Sequence, residues 1–146
     1  MIPRRCFAIA LLVFPLLSPN AKATESLQSP DDVKYALQLL MHITNDFDRQ
    51  ITRKTYARLP HENEEFIEGA DALRKAIASE PEDFKQEVES ALGAALSAAK
   101  DTADKNATND EIVLRAAQGV FVEKVNVLLA VFPESLRPDP KFMFKR

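Results

Sequence analysis

The spacing of apolar residues constrains this chain more than any other feature of its sequence. Between residues 33 and 51, side chains of one stripe recur at alternating intervals of four and three residues. These are Val33, Leu37, Leu40, Thr44, Phe47 and Ile51. The interval is that of one face of an α-helix, and it forms the seam along which helices pack in bundles. Runs of β-branched and aromatic residues, typical of strands, are nearly absent. The sequence therefore predicts an all-α fold.

Start and stop signals define the first two helices. Ser29 precedes Pro30 and two acidic residues, which predicts a capped helix beginning at Pro30. Because Pro60 restricts the backbone of the residue before it, we expect this helix to end near Arg58. A second helix is predicted over 61–79. Its apolar stripe is Phe66, Ala70, Leu73 and Ile77.

Two further helices follow the same logic. A third is predicted to open near Pro81 and to give way to a polar loop over 101–108. Thr108 and Glu111 have the spacing of a capping box, which starts a fourth helix that runs to about Phe132. Two adjacent apolar stripes make this helix the one that we expect to be most buried. They are Ala117, Phe121, Val125, Leu128 and Phe132, and beside them Val113, Ala116, Val120, Val127 and Val131.

Four amphipathic helices with short connections predict an antiparallel up-and-down four-helix bundle. The bundle is expected to occupy residues 24–132. Two prolines, Pro138 and Pro140, predict that the tail over 133–146 is extended.

The first 23 residues have the format of a cleaved secretory signal peptide. Arg4 and Arg5 precede an apolar run over residues 6–17, and Ala21 and Ala23 match the small residues of a cleavage site. The run is shorter than the roughly 20 residues that a membrane-spanning helix needs. We therefore expect an exported chain with no transmembrane segment after cleavage, in the periplasm as the first expectation and secreted as the second.

Charge and cysteine content narrow the function further. Removing residues 1–23 takes away three basic residues and no acidic ones, which leaves 16 Lys and Arg against 22 Asp and Glu, a net charge of −6. A mildly acidic domain lacks the cations that nucleic-acid binding needs. The single cysteine, Cys6, lies in the signal peptide, so the mature protein contains none and is not a disulfide framework.

No cofactor or metal site is predicted. The helix layout resembles that of the four-helix cytochromes, but covalent haem attachment needs a Cys-x-x-Cys-His motif that the mature chain lacks. Met41 in the first helix would also need a histidine in the fourth as the second haem ligand, and that helix has none. His61 and Glu65 are spaced to share a metal ion, yet two ligands are fewer than a tight site requires.

Two groups of residues are candidates for binding. Lys141, Phe142, Met143, Phe144, Lys145 and Arg146 form a basic and aromatic tail. This tail either docks a partner or an anionic surface, or folds back over the end of the bundle. Four cations near the apolar seams are candidates for an anion site, with solvated ends above buried stems as the alternative. They are Lys54, Arg58, Arg115 and Lys124.

The sequence predicts function mainly through the absence of a catalytic motif. The first hypothesis is an exported helical protein that acts by protein–protein interaction, as a chaperone, accessory subunit, inhibitor or immunity protein. Its partner is expected to be another protein, and a homodimer is compatible with the sequence. The alternative is a bundle that binds a small molecule, haem or a metal, or a small exported enzyme acting on an anionic substrate.

Overall fold

A computed structural model describes residues 27–139, and these residues fold into four α-helices and three short 3₁₀ turns. The helices are α1 (Pro30–Thr52), α2 (Leu59–Ala76), α3 (Glu82–Asp104) and α4 (Glu111–Ala130). The 3₁₀ turns are Tyr56–Arg58, Lys105–Thr108 and Glu134–Leu136. Within 27–139 there is no β-strand, so the predicted all-α class is confirmed. Each helix contacts its neighbours in the chain, and α1 also contacts α4.

The first helix is shorter than the sequence predicts. It ends at Thr52, and Lys54 adopts a left-handed backbone conformation with φ of 58° before the turn at Tyr56–Arg58. The predicted end near Arg58 is therefore wrong. A left-handed residue after a helix is usually Gly or Asn, and a lysine in this position gives no stop signal in the sequence.

The boundaries around α3 and α4 differ in a similar way. Residues 101–104 belong to α3, where a loop was predicted, and the 3₁₀ turn of Lys105–Thr108 follows directly. Asp110 is the residue that caps α4, because its carboxylate accepts hydrogen bonds from the backbone of Ile112 and Val113. Thr108 instead donates its hydroxyl hydrogen to the carbonyl of Lys105 at 2.7 Å.

The predicted main stripes form the core. Phe121 of α4 packs against Phe47 of α1 and Phe66 of α2, with ring centroids 4.9 Å apart in both pairs. Phe84 at the start of α3 meets Phe132 edge-on at 5.6 Å. All of these rings except Phe84 are 0–1% exposed, and Phe84 is 6% exposed. Aromatic burial on this scale accounts for a large part of the folding free energy of a small domain.

The second predicted stripe of α4 is not a buried seam. Val120 and Val127 are 50% and 52% exposed, and Ala116 is also exposed. The most buried helix is α1, in which eleven of 23 residues are buried, against seven of 20 in α4. The prediction that α4 is most buried is wrong because its second stripe has no helix opposite it.

A glycine sets the approach of α2 to α1. A Cβ atom added at Gly69 would lie 2.9 Å from Cδ2 of Leu40, closer than two carbon atoms pack. Gly69 and Leu40 are both buried. The missing side chain therefore lets the two helix backbones come together at this level.

The last described residues turn back onto the bundle. The sequence predicts an extended tail from residue 133, whereas Glu134–Leu136 forms a 3₁₀ turn, Leu136 packs against the core and Pro138 is buried. None of the helices in the described part combines the length and the apolar character that a membrane span requires.

Candidate functional site

A long open groove lies between α1 and α4. Its volume is about 1620 Å³, and on α1 it extends from Lys34 to Arg53, which is about 28 Å at the 1.5 Å rise of an α-helix. The α1 side is lined by Lys34, Gln38, Met41, His42, Asn45, Asp48, Arg49, Thr52 and Arg53. The other side is lined by Arg115, Gln118, Gly119 and Val122 of α4 and by Ser135, Arg137, Pro138 and Asp139.

A polar network joins the two helices at one part of the groove. The guanidinium of Arg115 donates to Asp48 Oδ1 at 2.6 Å and to the hydroxyl of Thr52 at 2.7 Å. It also donates to Gln118 Oε1 at 3.0 Å, and the Gln118 amide donates to Asp48 at 3.2 Å. These four side chains add polar contacts between the first turns of α4 and the last turns of α1.

The C-terminal segment forms another part of the wall. Arg137 donates hydrogen bonds to the backbone carbonyls of Phe132 at 2.8 Å and Ala130 at 3.2 Å. Carbonyls at the end of a helix have no partner within the helix, so Arg137 satisfies two acceptors at the end of α4. The bonds also fix the segment that carries Pro138 and Asp139 along the groove.

The groove is positive on an otherwise acidic protein. Its lining contains five Lys and Arg residues against two Asp residues. The rest of residues 27–139 has eight Lys and Arg residues against 19 Asp and Glu residues. Four of the six arginines in this part of the chain line the groove, namely Arg49, Arg53, Arg115 and Arg137.

The structure does not bring the four predicted anion-binding cations together. Only Arg115 lines the groove. Lys54 lies in the left-handed turn after α1 and approaches Glu111 at 3.7 Å. Arg58 is exposed in the following 3₁₀ turn, and Lys124 lies 3.5 Å from its neighbour Glu123.

Two sets of predicted residues lie outside the described part of the chain. The cleavage-site residues Ala21 and Ala23 belong to the N-terminal 26 residues. The tail residues Lys141, Phe142, Met143, Phe144, Lys145 and Arg146 follow Asp139 and Pro140. Both predictions stay predictions.

A second constellation, which sequence reasoning missed, lies between α1 and α2. Oxygen atoms of Asp46, Glu62 and Glu65 lie within 4.8 Å of one another. Glu62 is 3% exposed and accepts a hydrogen bond at 2.7 Å from the amide of Gln50, which in turn accepts one from Thr55 at 2.5 Å. Burial raises the pKa of Glu62, and the hydrogen bond from Gln50 opposes this increase.

Cations and histidines surround these carboxylates. Arg49 places a guanidinium nitrogen 2.6 Å from Asp46 Oδ1, an ion pair without the geometry of a hydrogen bond. The Nε2 atom of His42 lies 3.4 Å from Asp46, and that of His61 lies 3.3 Å from Glu65. The predicted proximity of His61 and Glu65 is therefore present. Both histidines are more than half exposed, so the buried part of the cluster is an internal polar network.

The sequence held a signal for this network. Glu62 precedes Phe66 by four residues and therefore continues the apolar stripe of α2 by one turn. In the same way, Gln50 follows the seam residue Phe47 by three residues and shares its face of α1. A polar residue in a core position indicates an internal hydrogen bond or ion pair, but spacing alone does not identify its partner.

A separate feature is an exposed apolar face on α4. Ile112 is 81% exposed, and together with Val120 and Val127 it gives α4 three of the five large exposed apolar side chains in the described part. Eight residues of α4 are classed as exposed on this face, and Glu123 is the one with a charge. An exposed apolar helix face is typical of a surface that contacts another protein.

Comparison with known proteins gives no relative for this chain: no protein-family model matches it, and no curated protein or solved structure is significantly similar to it.

Proposed function

We propose that this chain is an exported helical protein that acts by binding another protein along the groove between α1 and α4, and not by catalysis. The size and shape of the groove carry this proposal. Pockets for small molecules typically have volumes of about 300–1,000 Å³ and enclose most of the ligand. The groove has about 1620 Å³ and follows α1 for about 28 Å, which suits a segment of a polypeptide.

The open form of the groove also favours binding over chemistry. Enzymes generally exclude water from the reacting atoms, because fixed charges act more strongly in a site of low dielectric constant. Here the charged lining is accessible to solvent: the side chains of Arg49 and His42 are 47% and 67% exposed. Such a surface supports recognition by charge and shape.

Exposed apolar area on α4 adds the second element of a protein interface. Interfaces combine a dry apolar patch with charged and polar residues around it. Ile112, which is 81% exposed and lies on the same face of α4 as the groove residue Gly119, supplies apolar area. Arg49 and Arg53 supply charge on α1. The chaperone, accessory and inhibitor or immunity classes all act through surfaces of this kind.

The proposal includes an antiparallel up-and-down arrangement of the helices. Its support is the pairing of Arg115 near the start of α4 with Thr52 at the end of α1, together with the short connections between consecutive helices. It also includes removal of residues 1–23 during export, to the periplasm in a Gram-negative host. The mass of the protein recovered from the exported fraction tests this, and a chain starting at Thr24 is expected.

Site-specific photocrosslinking tests the binding surface. A benzoylphenylalanine replaces Gln38 in the groove or, as the matched control, Gln86, an exposed glutamine on α3 outside the groove. Both variants are expressed as the full-length chain in the native host and irradiated. We expect one defined protein adduct from position 38 and none of the same mass from position 86.

Two results would overturn the proposal. Equal adducts from both positions would show that the groove has no special role. A position 38 that reacts only with small molecules or not at all, while the protein is exported and folded, would remove the protein partner from this groove.

A further inference from the structure

We infer that the segment bound in this groove is acidic, with carboxylates at two places separated by an uncharged stretch. The inference rests on the proposed function and names the chemistry of its partner. Its starting point is the contrast between the five cations and two acids of the lining and the eight cations and 19 acids elsewhere in residues 27–139. Such a separation of charge steers an oppositely charged partner to one face.

Two of the groove cations have no acidic partner in the described chain. Within residues 27–139, no carboxylate lies within 4.0 Å of the Lys34 amine or the Arg53 guanidinium. Arg49, one turn before Arg53, has its ion pair with Asp46 on one side and a half-exposed guanidinium. A guanidinium matches the two oxygens of a carboxylate and binds it through paired hydrogen bonds.

The positions of these cations set the spacing of the ligand. Lys34 lies 15 residues before Arg49 on a continuous helix, which is about 22 Å. An extended peptide spans this distance with about six or seven residues. Met41 lines the groove between the two ends, and Gly119 faces it from α4 with open space where a side chain would be. The middle of the ligand is therefore expected to carry uncharged side chains.

The lining favours a peptide over a phosphate polymer. Asp48 and Asp139 are interleaved with the cations, so the lining is not the continuous row of positive charge that suits a backbone with a charge at every unit. An acidic peptide suits such a lining because its charges are confined to a few side chains. The exposed amide of Gln38 and the half-buried side chain of Val122 add groups that suit a polypeptide.

A defined peptide tests the inference. The probe is a fluorescein-labelled nonapeptide with two glutamates at each end and five alanines and leucines between them. Its binding to the full-length mature protein is followed by fluorescence anisotropy at low ionic strength. We expect saturable binding that weakens as salt is added, and at least tenfold weaker binding when the four glutamates are replaced by glutamine.

Charge reversal at both ends of the groove provides the matched comparison. The variant Lys34→Glu/Arg53→Glu alters two exposed residues of the groove without breaking an ion pair in the described chain. The control Arg58→Glu/Lys75→Glu makes the same change in net charge at two exposed residues outside the groove. We expect at least a tenfold loss of affinity in the first and less than a twofold loss in the second. Lys34→Gln/Arg53→Gln repeats the test without adding acids, and far-ultraviolet circular dichroism verifies folding.

The outcomes separate this inference from the proposed function. Equal losses in groove and control variants, or tighter binding of a short single-stranded oligonucleotide than of the peptide, would overturn the acidic-peptide assignment. Failure of the peptide together with a specific adduct from position 38 would also overturn it, while leaving the protein-binding function intact. Failure of both experiments would overturn both.

Discussion

The two sides of α1 meet their neighbours in opposite ways. Toward α2 the interface is closed: a Cβ at Gly69 would collide with Leu40 at 2.9 Å, and Gln50 and Glu62 are bonded in the buried layer beside it. Toward α4 a groove remains open, and a Cβ at Gly119 would meet nothing within 4 Å. A glycine inside a helix thus marks a tight crossing on one side and an unfilled surface on the other. A glycine within a helix therefore has a different structural role depending on how closely the neighbouring helix approaches it.

The largest expected effect on stability comes from removing the ring of Phe121, which packs against both α1 and α2. Phe121→Ala removes contacts with Phe47 of α1 and Phe66 of α2. We expect the free energy of unfolding to fall by about 3–5 kcal/mol, as for other buried aromatic residues. Chemical denaturation measures it, with Val120→Ala on the exposed side of the same helix as the control, expected within about 0.5 kcal/mol. Similar effects of the two variants would mean that the two faces of α4 are not distinct.

The two glycines allow a direct test of the difference between the interfaces. Gly69→Ala should lower the free energy of unfolding by about 1–2 kcal/mol, because the new methyl group overpacks the closed interface. Gly119→Ala should raise it by up to about 1 kcal/mol, because alanine is the better helix former and space is open there. Thermal unfolding of both variants gives the two signs. A gain in both would show that α1 and α2 separate easily.

The buried carboxylate of Glu62 allows a further test of the closed interface between α1 and α2. Burial raises the pKa of Glu62, so its ionised form opposes folding above that raised pKa. This penalty diminishes as the pH falls toward the ordinary value of 4.5. Glu62→Gln keeps an acceptor for Gln50, and we expect it to increase stability at pH 7, by less than about 1 kcal/mol.

The control for Glu62→Gln is the pH dependence of the difference in stability between this variant and the wild type. Denaturation of the wild type and Glu62→Gln from pH 7 to pH 4 should show a difference that shrinks steadily. A difference that is constant over this range would mean that packing, and not ionisation, distinguishes the two proteins.

The smallest expected effect lies away from α1. Arg74 of α2 donates hydrogen bonds to both carboxylate oxygens of Glu89 on α3, at 2.6 and 3.0 Å. This pairing lowers the pKa of Glu89, so its contribution is present above pH 4.5 and is lost as the pH falls through the lowered pKa. Because the pair is exposed, Glu89→Gln should cost only about 0.5 kcal/mol, and less in high salt. A pH dependence in the same direction as the one expected for Glu62 would contradict the assignment of Glu89.

The sequence correctly predicts the main buried face of each helix, but it does not predict which apolar faces stay exposed or where a groove forms between helices. Stripe residues such as Leu37, Phe66 and Phe121 are buried as expected, because the period of an α-helix determines which residues share a face. The same period selected Val120 and Val127, which are exposed, since a pattern shows that a face is apolar but not that a helix covers it.

The end of α1 and the groove between α1 and α4 could not be predicted from the sequence, for related reasons. The end of α1 depends on Lys54 in a left-handed conformation, which no glycine or asparagine announces. The groove combines Lys34 and Arg53 of α1 with Arg115 and Arg137, residues up to about one hundred positions apart in the chain. Their proximity depends on how α4 and the C-terminal turn lie against α1, which spacing within one helix does not report.

The attachment of Arg137 to the carbonyl groups of Phe132 and Ala130 also has a consequence for tethering. It fixes the chain as far as the groove wall, where Asp139 lies. A group attached within a few residues after Asp139 can move at most about 3.6 Å per intervening residue from that anchor. Such a group is therefore held at a high local concentration beside the groove. Labels and fusion partners for binding studies belong elsewhere on the surface, for example at Ser97 on α3.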